Sequence, residues 1–311
     1  MQRPKNILVP TDLSFEADQA LGHAIHFARL FGADVHLLHA VDDSVDGPAS
    51  TAEMESIHAG MGEAAARRLD LAAQKDDERK IMLHTRLMHG LDVVPAVLTY
   101  VERAAIDLIV MGTRGRDTRE RPMWQSHAEE IARVADCPVL TVGRGNMVYP
   151  GAPGRILVPV SFKTDAGPAL RMARAVARMQ RSVLELLHVA TPGMGTADTI
   201  LEAVAGRGRR EEKLRSRLEQ VFRDAGGTNV KHRLHIRYGD PAREVVGFAK
   251  RNRVNLIVVS SRGATGIRYA MEGSTTATMV GTATCPVLTL KTSDAGAAAP
   301  LRGNVAVGVH R

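Results

Sequence analysis

Two loops in the chain place glycine and serine where a helix is about to begin. Met111-Gly112-Thr113-Arg114-Gly115 follows a short apolar run, and Gln125-Ser126 stands at the start of a helical stretch further on. Val259-Ser260-Ser261-Arg262-Gly263 and then Gly273-Ser274 repeat the arrangement. A glycine-bearing loop that ends in serine at a helix N-terminus is a physical anion site. Free backbone N–H groups, the helix dipole and a hydroxyl converge on one point. Glycine lets the backbone approach a phosphate with no Cβ in the way. The same residues also make tight turns with an N-cap serine, and spacing alone leaves both readings open. One carboxylate joins this set: Asp12 in Val9-Pro10-Thr11-Asp12-Leu13-Ser14, at the end of another apolar run. It is the one candidate general base in these loops.

Other chemistry is sparsely supplied. The chain has no G-x4-G-K-[S/T], no H-E-x-x-H, no G-x-S-x-G and no paired C-x-x-C, so P-loop hydrolysis, zincin chemistry and the serine nucleophile elbow are excluded. Cys137 and Cys285 each precede a proline at the entrance to a buried strand, and with no local base or second cysteine they read as small core residues. His39 and His188 end matching strands and read as satisfied polar residues. His84 and His89 lack a neighbouring cysteine, which argues against a metal site.

The elements that must position these residues occur twice. Ile7-Leu8-Val9-Pro10 returns as Ile156-Leu157-Val158-Pro159, and Leu37-Leu38-His39 as Leu186-Leu187-His188. Leu108-Ile109-Val110 returns as Leu256-Ile257-Val258, and Cys137-Pro138-Val139-Leu140-Thr141 as Cys285-Pro286-Val287-Leu288-Thr289. The offset is 149 early and 148 late, so one residue differs between Gly90 and Asp107. A period this long is a domain duplication. Residues 143–154 are rich in Gly and Pro and read as the linker, and 294–311 as a loose tail. The units are expected at 1–147 and 153–293.

In the first half the pattern predicts strands at Asn6–Pro10, Val35–Val41, Met82–Met88, Leu108–Met111 and Val139–Val142. It predicts helices at Ala17–Phe31, Ala52–Gln74, Val93–Arg103 and Ser126–Val134. The second half repeats the order, with a long helix at Thr199–Arg223 whose arginines alternate with glutamates as on a solvated face. Alternation of this kind, with near-continuous apolar strands, implies an α/β fold with a parallel sheet covered on both faces. Ligands in such folds sit beyond the carboxyl ends of the strands, where strand order reverses.

The chain resembles a tandem universal stress protein, with two copies of that domain over nearly all of residues 5–291. The resemblance implies a Rossmann-like five-stranded parallel sheet of order 3-2-1-4-5 in each half, with helices on both faces. It also implies an adenine nucleotide, ATP or AMP, held by G-x2-G-x9-G-[S/T] after the fourth strand and by an Asp after the first. Asp12, Gly112, Gly115 and Ser126 match that pattern in the first half, where Gln125 replaces one glycine. Gly263, Gly273 and Ser274 match it in the second, where Ser161 replaces the Asp and Ser260 the first glycine. The function implied is a regulator or adaptor in the stress response; the alternative is a nucleotide-free interaction module. A slow ATPase ranks last.

Composition sets the remaining bounds. The 311 residues are 44% hydrophobic and 24% charged, which excludes global disorder. No apolar run approaches a membrane span, no leader pattern opens the chain, and two cysteines suit a reducing compartment, so a cytoplasmic protein is expected. The net charge of +7 is uneven. Residues 1–147 carry 16 Lys/Arg against 22 Asp/Glu, net −6, and 148–311 carry 25 against 12, net +13. The two halves are expected to attract each other, and nucleic acid is not the expected partner because no aromatics interleave Arg207–Arg217. The short apolar last strands, Val139–Val142 and Val287–Leu290, are expected to pair as an intramolecular pseudo-dimer; a homodimer is the other assembly considered.

Overall fold

The computed structural model describes residues 3–41, 51–73, 81–89, 92–113, 127–143, 154–191, 207–227, 229–262 and 275–292. The first half runs β1 (Asn6–Pro10), α1 (Phe15–Phe31), β2 (Asp34–Val41), α2 (Thr51–Ala73), β3 (Leu83–His89), α3 (Val93–Arg103), β4 (Leu108–Gly112), α4 (His127–Val134) and β5 (Val139–Val142). The second runs β6 (Arg155–Pro159), α5 (Gly167–Gln180), β7 (Val183–Ala190), α6 (Arg207–Asp224), β8 (His232–Tyr238), α7 (Pro241–Arg251), β9 (Leu256–Arg262), α8 (Thr275–Thr282) and β10 (Val287–Thr292).

The strands form one ten-stranded sheet, ordered β3-β2-β1-β4-β5-β10-β9-β6-β7-β8. Each half has the 3-2-1-4-5 order with parallel neighbours. The halves meet where β5 and β10 pair antiparallel, Leu140 opposite Leu288. That joint removes two apolar strand edges at once. Thr141 Oγ1 donates across it to the Val287 carbonyl at 3.2 Å, and Lys291 Nζ reaches Asp136 at 2.8 Å.

Apolarity is near-continuous in the inner strands β1, β4, β5, β6 and β10 because both their faces are covered. On one face Ile7, Val9, Leu37, Leu140, Ile156, Val158, Leu186 and Leu288 belong to a single core that runs through both halves beneath α1 and α5. On the other face the core is split, with Leu8, Ile109 and Ile131 in the first half and Leu157, Ile257 and Phe248 in the second. Gln180 Nε2 lies 3.1 Å from His26 Nε2, which ties α5 to α1 over the joint.

Helix starts follow capping side chains. The Ser14 hydroxyl accepts from Ala17 N at 3.2 Å, so α1 begins two residues before the apolar pattern does. The Asp240 carboxylate accepts from Arg243 N at 2.9 Å and caps α7. The register of β3 and β8 keeps the 149 offset while the caps Asp92 and Asp240 stand 148 apart, so the unmatched residue belongs to 90–91, outside the described residues.

Candidate functional site

In each half strand order reverses between the first and fourth strands, β1 and β4 or β6 and β9. From that point successive connections leave toward opposite faces and open a crevice at the carboxyl ends. The chain leaving β1 turns through Thr11, Asp12 and Leu13. Thr11 N continues the ladder to the Leu38 carbonyl at 2.8 Å. Ser14 N then donates to Asp12 Oδ1 at 3.0 Å, and Leu13 N to Thr11 Oγ1 at 3.0 Å. Leu13 takes φ 58° in this turn, a conformation that the clash of Cβ with the backbone makes rare outside glycine. His39 Nδ1 donates to the Thr11 carbonyl at 2.6 Å, which fixes the end of β2 to the same turn. Both roles expected of His39 and His188 as satisfied strand-end residues hold, since His188 Nδ1 donates to the Val160 carbonyl at 2.8 Å.

Asp12 and Gly112 arrive at the same end of neighbouring strands. A Cβ built on Gly112 would lie 3.1 Å from the backbone carbon and the Cβ of Glu16, in the first turn of α1. The glycine therefore has a packing reason: it lets the tip of β4 close on α1. In the second half α5 begins later relative to its strand, after the longer turn 160–166, and Ser260 stands at the Gly112 position. Its buried Oγ has no hydrogen-bond partner among the described residues. Gly115, Ser126, Gly263, Gly273 and Ser274, with Gln125, lie outside the described residues.

The two crevices differ most beside Asp12 and its counterpart. Ser161 Oγ accepts from Lys163 N at 3.2 Å, so the hydroxyl reproduces the turn that the Asp12 carboxylate makes. Next to it Phe162 replaces Leu13 and stacks on His188, ring centroids 4.0 Å apart. The Arg217 guanidinium also sits over the Phe162 ring, 4.4 Å from its centroid. Burial pushes the His188 pKa below its ordinary value, and Arg217 adds to that. A cavity of about 280 Å³ opens beside this cluster, lined by Ser161, Phe162, Asp165, Arg171, Arg217 and Asp224. In the first half Arg68 of α2 instead grips Asp18 of α1 with two nitrogens. Position 167, 149 residues beyond Asp18, is glycine and offers Arg217 no carboxylate.

The stack was not foreseen from sequence. Its signal was available in the swap of Leu13 for Phe162 between copies that otherwise match. The solvated-helix reading of Arg207–Arg217 holds for Arg209, Arg210, Arg215 and Arg217, which are exposed, and Arg217 in addition lies over Phe162. Cys285 is buried and Cys137 half-buried, and burial pushes both thiols up to about 12. The His84 ring lies tilted against His36, centroids 4.7 Å apart, and His36 Nδ1 shares a 2.9 Å hydrogen bond with Tyr100 Oη. Among the described residues no three His, Cys, Asp or Glu side chains gather as a metal site, and no helix is long and apolar enough to cross a membrane.

A duplicated, doubly wound α/β unit with a carboxylate at one switch point defines the class. The model of the universal stress protein family matches residues 4–143 and 153–291. The chain therefore belongs to the universal stress protein family, in tandem form. The universal stress protein MJ0531 of Methanocaldococcus jannaschii is 35% identical over 141 residues, 44% of this chain and 81% of that protein. Slr1230 of Synechocystis, also a universal stress protein, is 24% identical over 307 residues, 92% of this chain and all of its own. The crystal structure of a universal stress protein from Archaeoglobus fulgidus covers 94% of this chain and 98% of its own at a TM-score of 0.65. At 23% identity that likeness speaks for the fold.

Proposed function

We propose that the chain is a cytoplasmic stress-response regulator or adaptor that binds one adenine nucleotide, ATP or AMP, in the crevice of its first half. The observation that carries this is the contrast between the two switch points. Asp12 presents a carboxylate there, with one oxygen accepting from Ser14 N. An ionised carboxylate is an acceptor-only group, the type that reads an amino group such as that of adenine. Among the described residues nothing stacks over His39. In the second half Phe162, with His188 and Arg217 against its ring, stands at the corresponding turn, and Ser161 brings no charge. The first-half ligand set is Asp12, Gly112, Gly115 and Ser126; Gly263, Gly273 and Ser274 form the weaker second set.

Protein purified without added nucleotide tests this directly. It is denatured, and the supernatant is chromatographed. ATP or AMP released from the parent and absent from Asp12→Ala supports the reading.

One observation favours a second reading, a nucleotide-free interaction module. Gly112 is explained by its contact with Glu16 without any phosphate. An empty supernatant together with no heat on titration with ATP or AMP selects that reading.

A further inference from the structure

The ten-stranded sheet has two ends, β3 and β8. Among the described residues no strand lies beyond β8. Lys231 O accepts from Leu184 N at 3.0 Å, and Gly239 N donates to Ala190 O at 3.1 Å, so the odd-numbered residues turn their backbone groups inward to β7. By the two-residue period of a strand, the N–H and C=O groups of His232, Leu234 and Ile236 point outward. One outward carbonyl is covered: Arg215 Nη2 of α6 reaches Leu234 O at 3.4 Å. Such a row is a template for another strand, and proteins guard it with charge.

The charge here is of one sign and in register. Lys231, Arg233, His235 and Arg237 alternate along the strand and so share one face. Lys231, Arg233 and Arg237 are exposed. Arg233 and His235 are held by the buried Glu185 of β7, at 3.5 and 2.7 Å. A groove of about 570 Å³ runs along this edge between β8 and α6, with Glu211 and Arg215 on its far wall. The duplication supplies an internal control. The register positions of those four residues in the first half are Met82, His84, Arg86 and Met88. The basic ladder therefore belongs to β8 and not to the fold.

We propose that β8 is a docking edge for an acidic extended segment of a partner protein, which adds to the sheet as an eleventh strand. The occupant carries Asp or Glu at every second residue, so that its carboxylates fall beside Lys231, Arg233, His235 and Arg237 on one face. Its backbone pairs with His232, Leu234 and Ile236, and Arg215 gives up the Leu234 carbonyl to an N–H of the incoming strand. Main-chain pairing supplies affinity and the alternating charges supply selection. This is also where part of the excess charge of the second half, +13, is used.

The probe is a fluorescein-labelled octapeptide of alternating Glu and Val, titrated into the full chain and followed by anisotropy. Three controls accompany it: the Lys/Val peptide, the Glu/Val peptide N-methylated at alternate residues, and a short DNA duplex. Binding of the Glu/Val peptide, lost on N-methylation and weakened about fivefold by Arg237→Glu, is the expected result; the fivefold figure corresponds to one cross-strand charge pair. Arg86→Glu at the other edge should leave it unchanged. Amide exchange should slow at His232, Leu234 and Ile236 when the peptide is bound. No binding overturns the proposal. So does binding indifferent to N-methylation, or a duplex bound more tightly than the peptide, since either makes the edge a diffuse anion surface.

Discussion

Gly112→Ala separates a packing glycine from a phosphate glycine. The added Cβ would stand 3.1 Å from Glu16 C, 3.1 Å from Glu16 Cβ and 3.2 Å from Glu16 O. Two of these three atoms are main chain, and they belong to a helix turn that Ser14 caps and that packs on β4. None can rotate away, so α1 must shift by a few tenths of an ångström. Overpacking of this kind costs about 1–3 kcal/mol. Loss of freedom in the unfolded chain returns about 0.4–1 kcal/mol, because Gly112 does not need a positive φ. The net expectation is a destabilisation of about 1–2 kcal/mol, read as a lower urea midpoint at unchanged slope. The partner variant Ser260→Ala removes a buried hydroxyl that has no hydrogen-bond partner among the described residues, and should leave stability equal or slightly higher. A Gly112→Ala protein as stable as its parent would show that β4 does not close on α1, and the packing explanation would be withdrawn.

Three further outcomes are expected. Arg181 caps α5 at φ 53°, where Gly32 caps α1 at φ 73°, so Arg181→Gly should stabilise by about 0.5–1 kcal/mol in a urea melt, the left-handed strain outweighing glycine's entropy. Burial and the neighbouring His84 hold the His36 pKa below its ordinary 6.5, with Arg86 pushing the same way and Asp34 opposing. The neutral ring is therefore the one the fold prefers. Stability should be full above pH 6.5 and fall as pH drops below it, and His36→Phe should flatten urea midpoints measured from pH 7.5 to 5.5. Cys137 and Cys285, with thiols pushed up to about 12, should resist iodoacetamide at pH 8 until the chain is unfolded in urea.

The fold was legible because the inner strands are buried on both faces and the helices on one, so apolar runs and periods mark them. Asn6–Pro10, Val93–Arg103 and Val139–Val142 fall where the pattern puts them. Even the joint followed, since two short apolar edge strands of the same sequence have each other as the nearest cover. The start of α1 was read late because its first turn is set by the Ser14 hydroxyl and not by apolar spacing. The site was less legible. Gly112 matches a phosphate motif in sequence, yet its contact is with Glu16, which no local pattern announces. The Arg217–Phe162–His188 stack joins residues from three elements, and only their positions in space make them one feature. Glu185 sits in an apolar strand, and its partners Arg155, Arg233 and His235 come from two neighbouring strands.

The central claim is one adenine nucleotide per chain, read by Asp12. Calorimetric titration of ATP into the parent, Asp12→Ala and Ser274→Ala, each checked for fold by circular dichroism, measures it most directly. The account predicts a stoichiometry of about one in the parent, unchanged in Ser274→Ala and abolished in Asp12→Ala. Loss of binding in Ser274→Ala alone would move the site to the second half, and a parent that takes up no nucleotide would contradict the claim outright.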